Sequence, residues 1–366
     1  MKIVVLKENR LEEKRVAITP TIAKQLITKG FALVIEAGAG EHSSFQDKTY
    51  LDCGVQVVTE KNSLFQSADI FIKINPFSTE EIKQLKPGSI TLSLMYHRIS
   101  PEMVQELADA GVSSFSMDAI PRISRAQSMD VLSSQSNLAG YKAVILGANE
   151  MTKMFPLMMT AAGTITPSKV LIFGIGVAGL QAIATAKRLG AVVEATDVRA
   201  ETKEQAESLG AKFITVESQG AKAEGGYATE VTEEYLNKQK DAVNKSLFQA
   251  DLVITTALVM GRKAPILITE EQVKKMKFGS VIVDMAVEQG GNCELSELGK
   301  IAIKHGVKIV GVANLPSTLA TNASELYAKN VFNLLTHLTD KEGFKWDLEE
   351  EITKGTLIVH QGKILQ

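Results

Sequence analysis

The sequence has few cysteines, no long apolar run and no excess of either charge. Its two cysteines, Cys53 and Cys293, exclude a disulfide scaffold and suit a reducing compartment. No apolar stretch approaches the ~18 residues that a membrane helix needs. A charge also appears too early at the N-terminus for a secretory signal, so we expect neither export nor membrane insertion of this chain. The 40 basic and 42 acidic side chains nearly cancel, which argues against nucleic-acid or membrane binding through bulk charge.

What the sequence does contain is an ordinary globular composition over 366 residues, with 45% hydrophobic and 22% charged side chains. That length suggests two or three domains, at roughly 150 residues each. Short apolar runs alternate with amphipathic stretches, which is typical of βα units on parallel sheets. We predict an α/β fold of two Rossmann-like, doubly wound parallel-sheet domains with a cleft between them. The predicted strands are residues 3–6, 31–35, 70–74, 90–94 and 112–115, then 170–173, 192–196, 213–216, 252–256, 281–285 and 309–312.

A polar segment at residues 118–135 interrupts this alternation, and long helices are predicted at 137–154 and 317–338. Because the first sheet ends abruptly at the polar segment, we expect the second long helix to return to the first domain. The alternative is that this helix closes the second domain. The first interpretation predicts a discontinuous first domain, residues 1–132 with 320–366, around a nucleotide-binding domain of residues 133–319.

A glycine-rich motif, G-x-G-x-x-G at residues 174–179, directly follows the predicted strand 170–173 and opens a helical run. Its glycines would allow a tight turn, close approach of a pyrophosphate, and close helix–strand packing. The helix N-terminus would offer free N–H groups to the phosphates. We therefore predict a dinucleotide site; the alternative is a glycine turn that has lost its cofactor. The predicted binding residues of this loop are Gly174, Gly176, Val177, Ala178 and Gly179.

Two further positions are predicted to complete the nucleotide site. Asp197 ends the next strand, 18 residues after Gly179, where its carboxylate can accept hydrogen bonds from both ribose hydroxyls. A 2′-phosphate there would meet a like charge, so we predict NAD(H) rather than NADP(H). Thr256 and Ala257 end a later strand and are candidates for lining the cofactor site. The alternative is that they are ordinary strand-to-loop residues.

Three charged or titratable side chains in the first domain are candidates for chemistry. Arg15 and Lys73 could bind a substrate carboxylate, and His97 could act as a general acid or base. The alternative is that all three are structural or surface groups. The other histidines and the two cysteines have no metal-ligand spacing, so we predict no metal site.

The polar segment carries Arg122, Gln127, Asp130 and Ser133 at intervals of three to five residues. Nicotinamide has a carboxamide with one acceptor and two donor hydrogens, which Arg, Asp and Ser side chains can match. Such a set could hold the ring with one face exposed. The alternative is an interdomain linker with helix caps, since Ser and Asp are common cap residues.

Residues 121–130 with 134–141, and residues 174–199, resemble the two signatures of the proton-translocating NAD(P) transhydrogenase family, in the NAD-binding domain of its alpha subunit. The resemblance covers about residues 1–335. It implies hydride transfer between NAD(H) on this chain and NADP(H) on a separate beta subunit, coupled to proton movement through membrane subunits. It also implies a homodimer and a membrane-spanning alpha component. The chain would then lie on the cytoplasmic or matrix-equivalent side of the inner membrane, peripheral to it through those partners.

The same resemblance implies roles for particular residues. Arg122, Gln127, Asp130 and Ser133 fall on the family's nicotinamide-contacting positions, with the Gln reaching towards the second nucleotide. Asp197 falls on the adenosine-ribose carboxylate, in a signature that continues through Val198 and Arg199. The family's mobile loop falls on residues 217–228, with Tyr227 as its tyrosine, and would close over NAD.

Alanine dehydrogenase is related to this family and supplies a second hypothesis, a soluble amino-acid oxidoreductase. Arg15, Lys73 and His97 fall on that enzyme's substrate and catalytic positions. However, Glu288 stands before Gln-Gly-Gly, where that enzyme has a catalytic Asp. A third hypothesis is an NAD-binding module without turnover. Residues 259–262, Val-Met-Gly-Arg, depart from the transhydrogenase pattern, which usually has Pro before Gly.

Overall fold

The structure, a computed structural model, describes residues 1–66, 68–215, 233–258 and 262–366. The chain divides into two compact units, Met1–Gln135 with Pro316–Gln366, and Ser136–Leu315. Each unit is built on its own largely parallel sheet. The prediction of a two-domain α/β fold with Rossmann-like parallel sheets is confirmed.

The secondary-structure elements are numbered in chain order over the described residues. The strands are β1 (Lys2–Val5), β2 (Ala32–Glu36), β3 (Gln56–Val58), β4 (Ile70–Ile72), β5 (Ile90–Ser93), β6 (Ser113–Ser116), β7 (Met158–Thr160), β8 (Gly163–Ile165), β9 (Lys169–Phe173), β10 (Val192–Thr196), β11 (Lys212–Phe213), β12 (Leu252–Thr255), β13 (Val281–Asp284), β14 (Lys300–Lys304), β15 (Val307–Gly311), β16 (Leu357–His360) and β17 (Lys363–Ile364). The α-helices are α1 (Pro20–Thr28), α2 (Asp47–Asp52), α3 (Lys61–Leu64), α4 (Thr79–Ile82), α5 (Pro101–Asp109), α6 (Val131–Glu150), α7 (Val177–Arg188), α8 (Thr202–Ser208), α9 (Glu233–Leu247), α10 (Glu270–Val273), α11 (Ala320–Leu338) and α12 (Glu351–Thr356).

The first unit has an eight-stranded sheet in the order β3-β2-β1-β4-β5-β6-β16-β17. Its first six strands are mutually parallel, and β16 and β17 add an antiparallel edge. Ile3 and Val5 belong to the core on one face of β1, and Val4 belongs to the core on the other. Helices therefore cover both faces of the sheet, as a parallel sheet requires. Helix α11 packs into the first of these cores through Tyr327 and Val331.

The second unit has a seven-stranded sheet in the order β11-β10-β9-β12-β13-β15-β14. All neighbours are parallel except β14 and β15. The strand order reverses at β9. Strand β10 pairs with one edge of β9, and β12 pairs with the other edge. Crevices at such reversals, at the carboxyl ends of the strands, are where ligands bind in this architecture.

Several elements differ from the predictions. Helix α6 begins at Val131 and ends at Glu150, not at residues 137 and 154, because the Asp130 carboxylate accepts the Ser133 N–H at 2.9 Å and so caps the helix earlier. The second sheet has a seventh strand, β14, which escaped prediction because its edge position leaves alternate apolar residues exposed. The predicted strand 213–216 is shorter: β11 ends at Phe213, and residue 216 lies outside the described residues.

Candidate functional site

The glycine loop at residues 174–179 joins β9 to α7 at the strand-order reversal of the second unit. Gly174 has φ +90°, a left-handed conformation that disfavours other residues. A Cβ on Gly174 would lie 2.5 Å from Thr256 Oγ1, and one on Gly179 would lie 1.9 Å from the Gly174 carbonyl oxygen. Packing against Thr256 therefore requires Gly174, and packing within the loop requires Gly179.

Gly176 differs from its neighbours, because a Cβ there would meet no atom of the described chain within 4 Å. Gly176 is the N-cap of α7, and among the described residues no side chain caps this helix or adds an acidic group to its first turn. The N–H groups of the first turn, at Val177 and Ala178, have no intrahelical partners. An open approach to an uncapped helix N-terminus suits an anionic group such as a pyrophosphate.

Gly140 of α6 lies against the glycine loop and was not predicted from the sequence. A Cβ at Gly140 would lie 2.1 Å from the Ala178 carbonyl oxygen, and one at Gly147 would lie 2.5 Å from a Leu252 methyl carbon. Helix α6 therefore packs directly against the loop and the sheet. The sequence signal was the spacing of two glycines seven residues apart in α6, which places both on one helix face.

Asp197, the predicted ribose acceptor, is held in several hydrogen bonds. Its Oδ2 accepts from the Ile175 N–H at 2.6 Å and from Arg199 Nη2 at 3.0 Å. Its Oδ1 accepts from the backbone N and from Nε of Arg199, at 2.9 and 3.0 Å. Burial opposes ionisation of Asp197, but these hydrogen bonds hold its pKa below the usual value. Val198, between them, is 98% exposed and contributes no side-chain packing to this pair.

Thr256 and Ala257 lie beside the glycine loop at the end of β12. Thr256 Oγ1 donates to the Gly174 carbonyl at 3.0 Å. Asn292 binds Ala257 on both sides, because its Oδ1 accepts the Ala257 N–H at 3.1 Å and its Nδ2 donates to the Ala257 carbonyl at 2.9 Å. These hydrogen bonds fix Thr256 and Ala257 beside the glycine loop. Asn292 was not predicted from the sequence.

A buried carboxylate, Asp284, holds Asn292 in turn. Asp284 Oδ2 accepts the N–H groups of Asn292 and Cys293 at 2.8 and 3.0 Å, and the Ser296 hydroxyl at 2.5 Å. Its Oδ1 accepts the Thr255 hydroxyl at 3.2 Å. An Asp at the carboxyl end of a parallel strand was the only sequence signal for this anchor.

In the first unit, two residues of the polar segment cap a helix, whereas the contacts of this segment with nicotinamide stay a prediction. Asp130 Oδ2 accepts the Ser133 hydroxyl at 2.6 Å, which completes the cap of α6. Arg122 and Gln127 are exposed, and neither side chain forms a hydrogen bond or ion pair with residues that the structure describes. Asp130 and Ser133 of this segment therefore cap α6, whereas the Arg122 and Gln127 side chains have no partner among the described residues.

The backbone of the polar segment is fixed by α11. The Ser128 carbonyl accepts hydrogen bonds from Asn330 Nδ2 and Asn333 Nδ2, both at 2.9 Å. Asn330 Oδ1 accepts the Ser134 hydroxyl at 2.8 Å, and Ala126 is completely buried. Gln127 thus projects from a backbone that is held on both of its sides.

Arg125 ties the same segment to α12. Its Nη2 lies 2.9 Å from Glu350 Oε1, and Glu350 caps α12 by accepting the N–H groups of Ile352 and Thr353 at 3.0 and 2.8 Å. His337 lies 2.9 Å from the same carboxylate. Burial would raise the pKa of Glu350, but the His337 and backbone hydrogen bonds lower it to about 2.

Replacement of Glu350 by Gln is expected to lower the free energy of unfolding at pH 7 by about 1 kcal/mol, because a charged cap is lost. The folded-state pKa of about 2 lies below the unfolded value of roughly 4.3. The stabilisation is therefore complete above the unfolded pKa and is lost as the pH falls towards 2. Urea unfolding at several pH values measures the difference, with exposed Glu349→Gln as the matched control. A difference between Glu350→Gln and wild type that stayed constant down to pH 3 would contradict this assignment.

The two cations predicted to bind a substrate carboxylate already have buried partners. Arg15 donates to Glu13 in a bidentate pair at 2.7 and 2.6 Å, and its exposed fraction is 6%. Lys73 Nζ lies 2.7 Å from Glu81 Oε2, with both side chains buried. Buried ion pairs of this kind leave little net charge for a ligand, so this arrangement disfavours amino-acid binding.

His97 lies in a 3-10 helix at His97–Ile99, and its Nδ1 is buried without a hydrogen-bond partner among the described residues. Burial lowers the pKa of His97, which favours the neutral imidazole. Within the described ranges, no group of three His, Cys, Asp or Glu side chains is arranged to hold a metal ion. None of the helices described combines the length and apolarity needed to cross a bilayer. Tyr227 with segment 217–228, and residues 259–261, lie outside the described residues.

Comparison with known proteins supplies the family. The domain descriptions "Alanine dehydrogenase/PNT, N-terminal domain" and "Alanine dehydrogenase/PNT, C-terminal domain" match residues 4–139 and 143–366. The chain is 51% identical to the first portion of the divided NAD(P) transhydrogenase alpha subunit of Rhodospirillum rubrum, over all of this chain and 98% of that protein. A solved transhydrogenase from Sinorhizobium meliloti is 44% identical with a TM-score of 0.92, over the whole of both chains. Alanine dehydrogenase of Bacillus subtilis is 31% identical, over 91% of this chain and 86% of that enzyme.

Proposed function

This chain belongs to the alanine dehydrogenase/PNT family, and we propose that it is the NAD(H)-binding component of a proton-translocating NAD(P) transhydrogenase. In this proposal, hydride passes directly between NAD(H) on this chain and NADP(H) on a partner subunit. The observation that carries the proposal is the polar segment, whose backbone is held by α11 while Arg122 and Gln127 remain free of partners among the described residues. Identity of 51% to a transhydrogenase alpha subunit along the whole chain supports it.

The residues of this chain would act by positioning. NAD(H), when bound, would supply or accept the hydride. Gly176 and the N-terminus of α7 would hold its pyrophosphate. Asp197 would accept hydrogen bonds from the adenosine ribose, with Arg199 beside it. Direct transfer between two nicotinamides requires alignment and no general base, which agrees with the amide, hydroxyl and charged groups of the polar segment.

The nicotinamide end of the site is assigned to the polar segment. Arg122 would donate to the carboxamide oxygen, and Asp130 with Ser133 would accept from its nitrogen. Gln127 reaches towards the nucleotide of the partner.

The proposal also assigns partners and a location. NADP(H) is held by a beta subunit, and a membrane-spanning alpha component couples transfer to proton translocation. This chain forms a homodimer and lies peripherally on the cytoplasmic or matrix-equivalent side of the inner membrane through those partners. The name of the Rhodospirillum rubrum relative, which designates one portion of an alpha subunit, supports a divided alpha subunit.

An alanine-dehydrogenase-like activity is the second candidate, favoured by the 31% identity to that enzyme. Two features oppose it. The cations Arg15 and Lys73 are neutralised by Glu13 and Glu81. Glu288 replaces the catalytic Asp, and its Oε2 accepts the Asn314 N–H at 3.0 Å.

One assay distinguishes the candidates. The purified chain is mixed with a transhydrogenase NADP(H)-binding component, NADP(H), NADH and an oxidised NAD analogue, and reduction of the analogue is followed by absorbance. Rapid cyclic transfer that requires both proteins supports the proposal. Turnover of L-alanine or pyruvate without the partner would support an amino-acid dehydrogenase instead, and tight NADH binding without either activity would indicate a binding module.

A further inference from the structure

We infer that Arg199 is an internal competitor for the ribose of the nucleotide, so that its side chain weakens NADH binding. This inference rests on the proposed function, because it takes Asp197 as the ribose acceptor. An arginine in a nucleotide site would ordinarily be expected to strengthen binding of an anionic ligand. The contacts of Asp197 predict the opposite sign.

The acceptor positions of Asp197 are fully used. A carboxylate offers about four lone-pair positions, two on each oxygen. On Oδ2 these are taken by the Ile175 N–H and Arg199 Nη2, and on Oδ1 by the backbone N–H and Nε of Arg199. The Asp197 side chain is only 5% exposed. A ribose hydroxyl can therefore bind Asp197 only by displacing one of these donors.

Among these donors the guanidinium is the one that can leave. The N–H groups of Ile175 and Arg199 belong to the main chain of the turns that follow β9 and β10. The Arg199 side chain is 51% exposed, and its remaining contact, to the Ile175 carbonyl, is long at 3.3 Å. Rotation of that side chain into solvent requires no movement of the backbone.

Departure of the guanidinium would free one acceptor position on each oxygen of Asp197. Nε is bound to Oδ1 and Nη2 to Oδ2. Two adjacent acceptors match the two vicinal hydroxyls of an adenosine ribose, which are the donors that NAD(H) presents. The Nε and Nη2 groups of Arg199 and the two ribose hydroxyls thus compete for the same two acceptor positions on Asp197. An exposed ion pair contributes about 1 kcal/mol or less, so the competition is expected to weaken NADH binding by a modest factor.

Calorimetric titration with NADH tests the sign of the effect. Arg199→Met removes the guanidinium at similar side-chain length and is expected to lower Kd about twofold to fivefold, the factor that roughly 0.4 to 1 kcal/mol gives. Arg199→Lys keeps the charge but cannot hold both oxygens in a fork, so its Kd is expected to lie between those of wild type and Arg199→Met. Arg188→Met, an exposed arginine at the end of α7, removes the same charge and is expected to leave Kd unchanged. Thermal unfolding of each variant verifies the fold.

The outcomes separate this inference from the function on which it rests. Weaker or unchanged NADH binding in Arg199→Met, with normal binding by the wild-type chain, would overturn the competitor role alone. Absence of NADH binding by the wild-type chain would overturn the proposed function and the competitor role together. Equal tightening in Arg188→Met and Arg199→Met would also overturn the inference, because a loss of general charge would then explain both.

Discussion

Replacement of Gln127 by Asn is expected to slow hydride transfer about 100-fold, while NADH affinity stays within about threefold of wild type. The side chain loses one methylene, which draws its amide back by more than an ångström. Misplacement of that size in an aligned reaction costs roughly 100-fold in rate. The backbone cannot compensate, because Ser128 is bound by Asn330 and Asn333 and Ala126 is buried.

Two measurements separate the effects of Gln127→Asn on rate and on binding. Single-turnover transfer is measured with a saturating NADP(H)-binding component, and the Kd for NADH is measured by calorimetry on the chain alone. Gln127 lies in the 3-10 helix Ser124–Met129. Ser124→Ala, an exposed change in that helix, is the matched control and is expected to leave both quantities unchanged. Equal losses in rate and NADH affinity would place Gln127 against the nucleotide of this chain and would contradict its role towards the partner.

The alternation of strands and helices could be predicted wherever a parallel strand is a short buried apolar run. Ile70–Ile72 and Val281–Asp284, for example, are buried at every position. Edge strands carry a weaker signal. In β14 and β17 the exposed residues include both lysine and isoleucine, and nothing local distinguishes such a run from a loop. The domain boundaries after residue 132 and before residue 320 stay a prediction, which limited proteolysis can test.

The candidate site was predictable where one short segment carries the whole pattern. Residues 174–179 do so, because turn, strand and helix are adjacent in the chain. Asn292 and Asn330 could not be found in this way, since they act on Ala257 and Ser128, which are 35 and 202 residues away. The occupation of Asp197 by Arg199 is local, two residues apart, but depends on a rotamer that sequence does not specify.

Replacement of Gly176 by alanine is expected to abolish most NADH binding without unfolding the chain. The backbone at Gly176 has φ −89° and ψ −165°, which alanine adopts freely, and its Cβ would meet no described atom within 4 Å. Because alanine is a poorer N-cap than glycine, the free energy of unfolding should fall, but only by about 1 kcal/mol or less. The added methyl group would instead stand in the approach to the N-terminus of α7, and we expect Kd for NADH to rise about 100-fold, or about 2.7 kcal/mol.

Gly179→Ala gives the matched contrast. Its Cβ would lie 1.9 Å from the Gly174 carbonyl oxygen, so the loop must shift and the free energy of unfolding should fall by about 1–3 kcal/mol. NADH binding would then be lost together with stability. Chemical unfolding and NADH titration of both variants therefore separate a glycine needed by the ligand from a glycine needed by the fold. If Gly176→Ala bound NADH normally, the pyrophosphate could not approach the chain at this position, and the assignment of α7 as the phosphate-binding helix would be wrong.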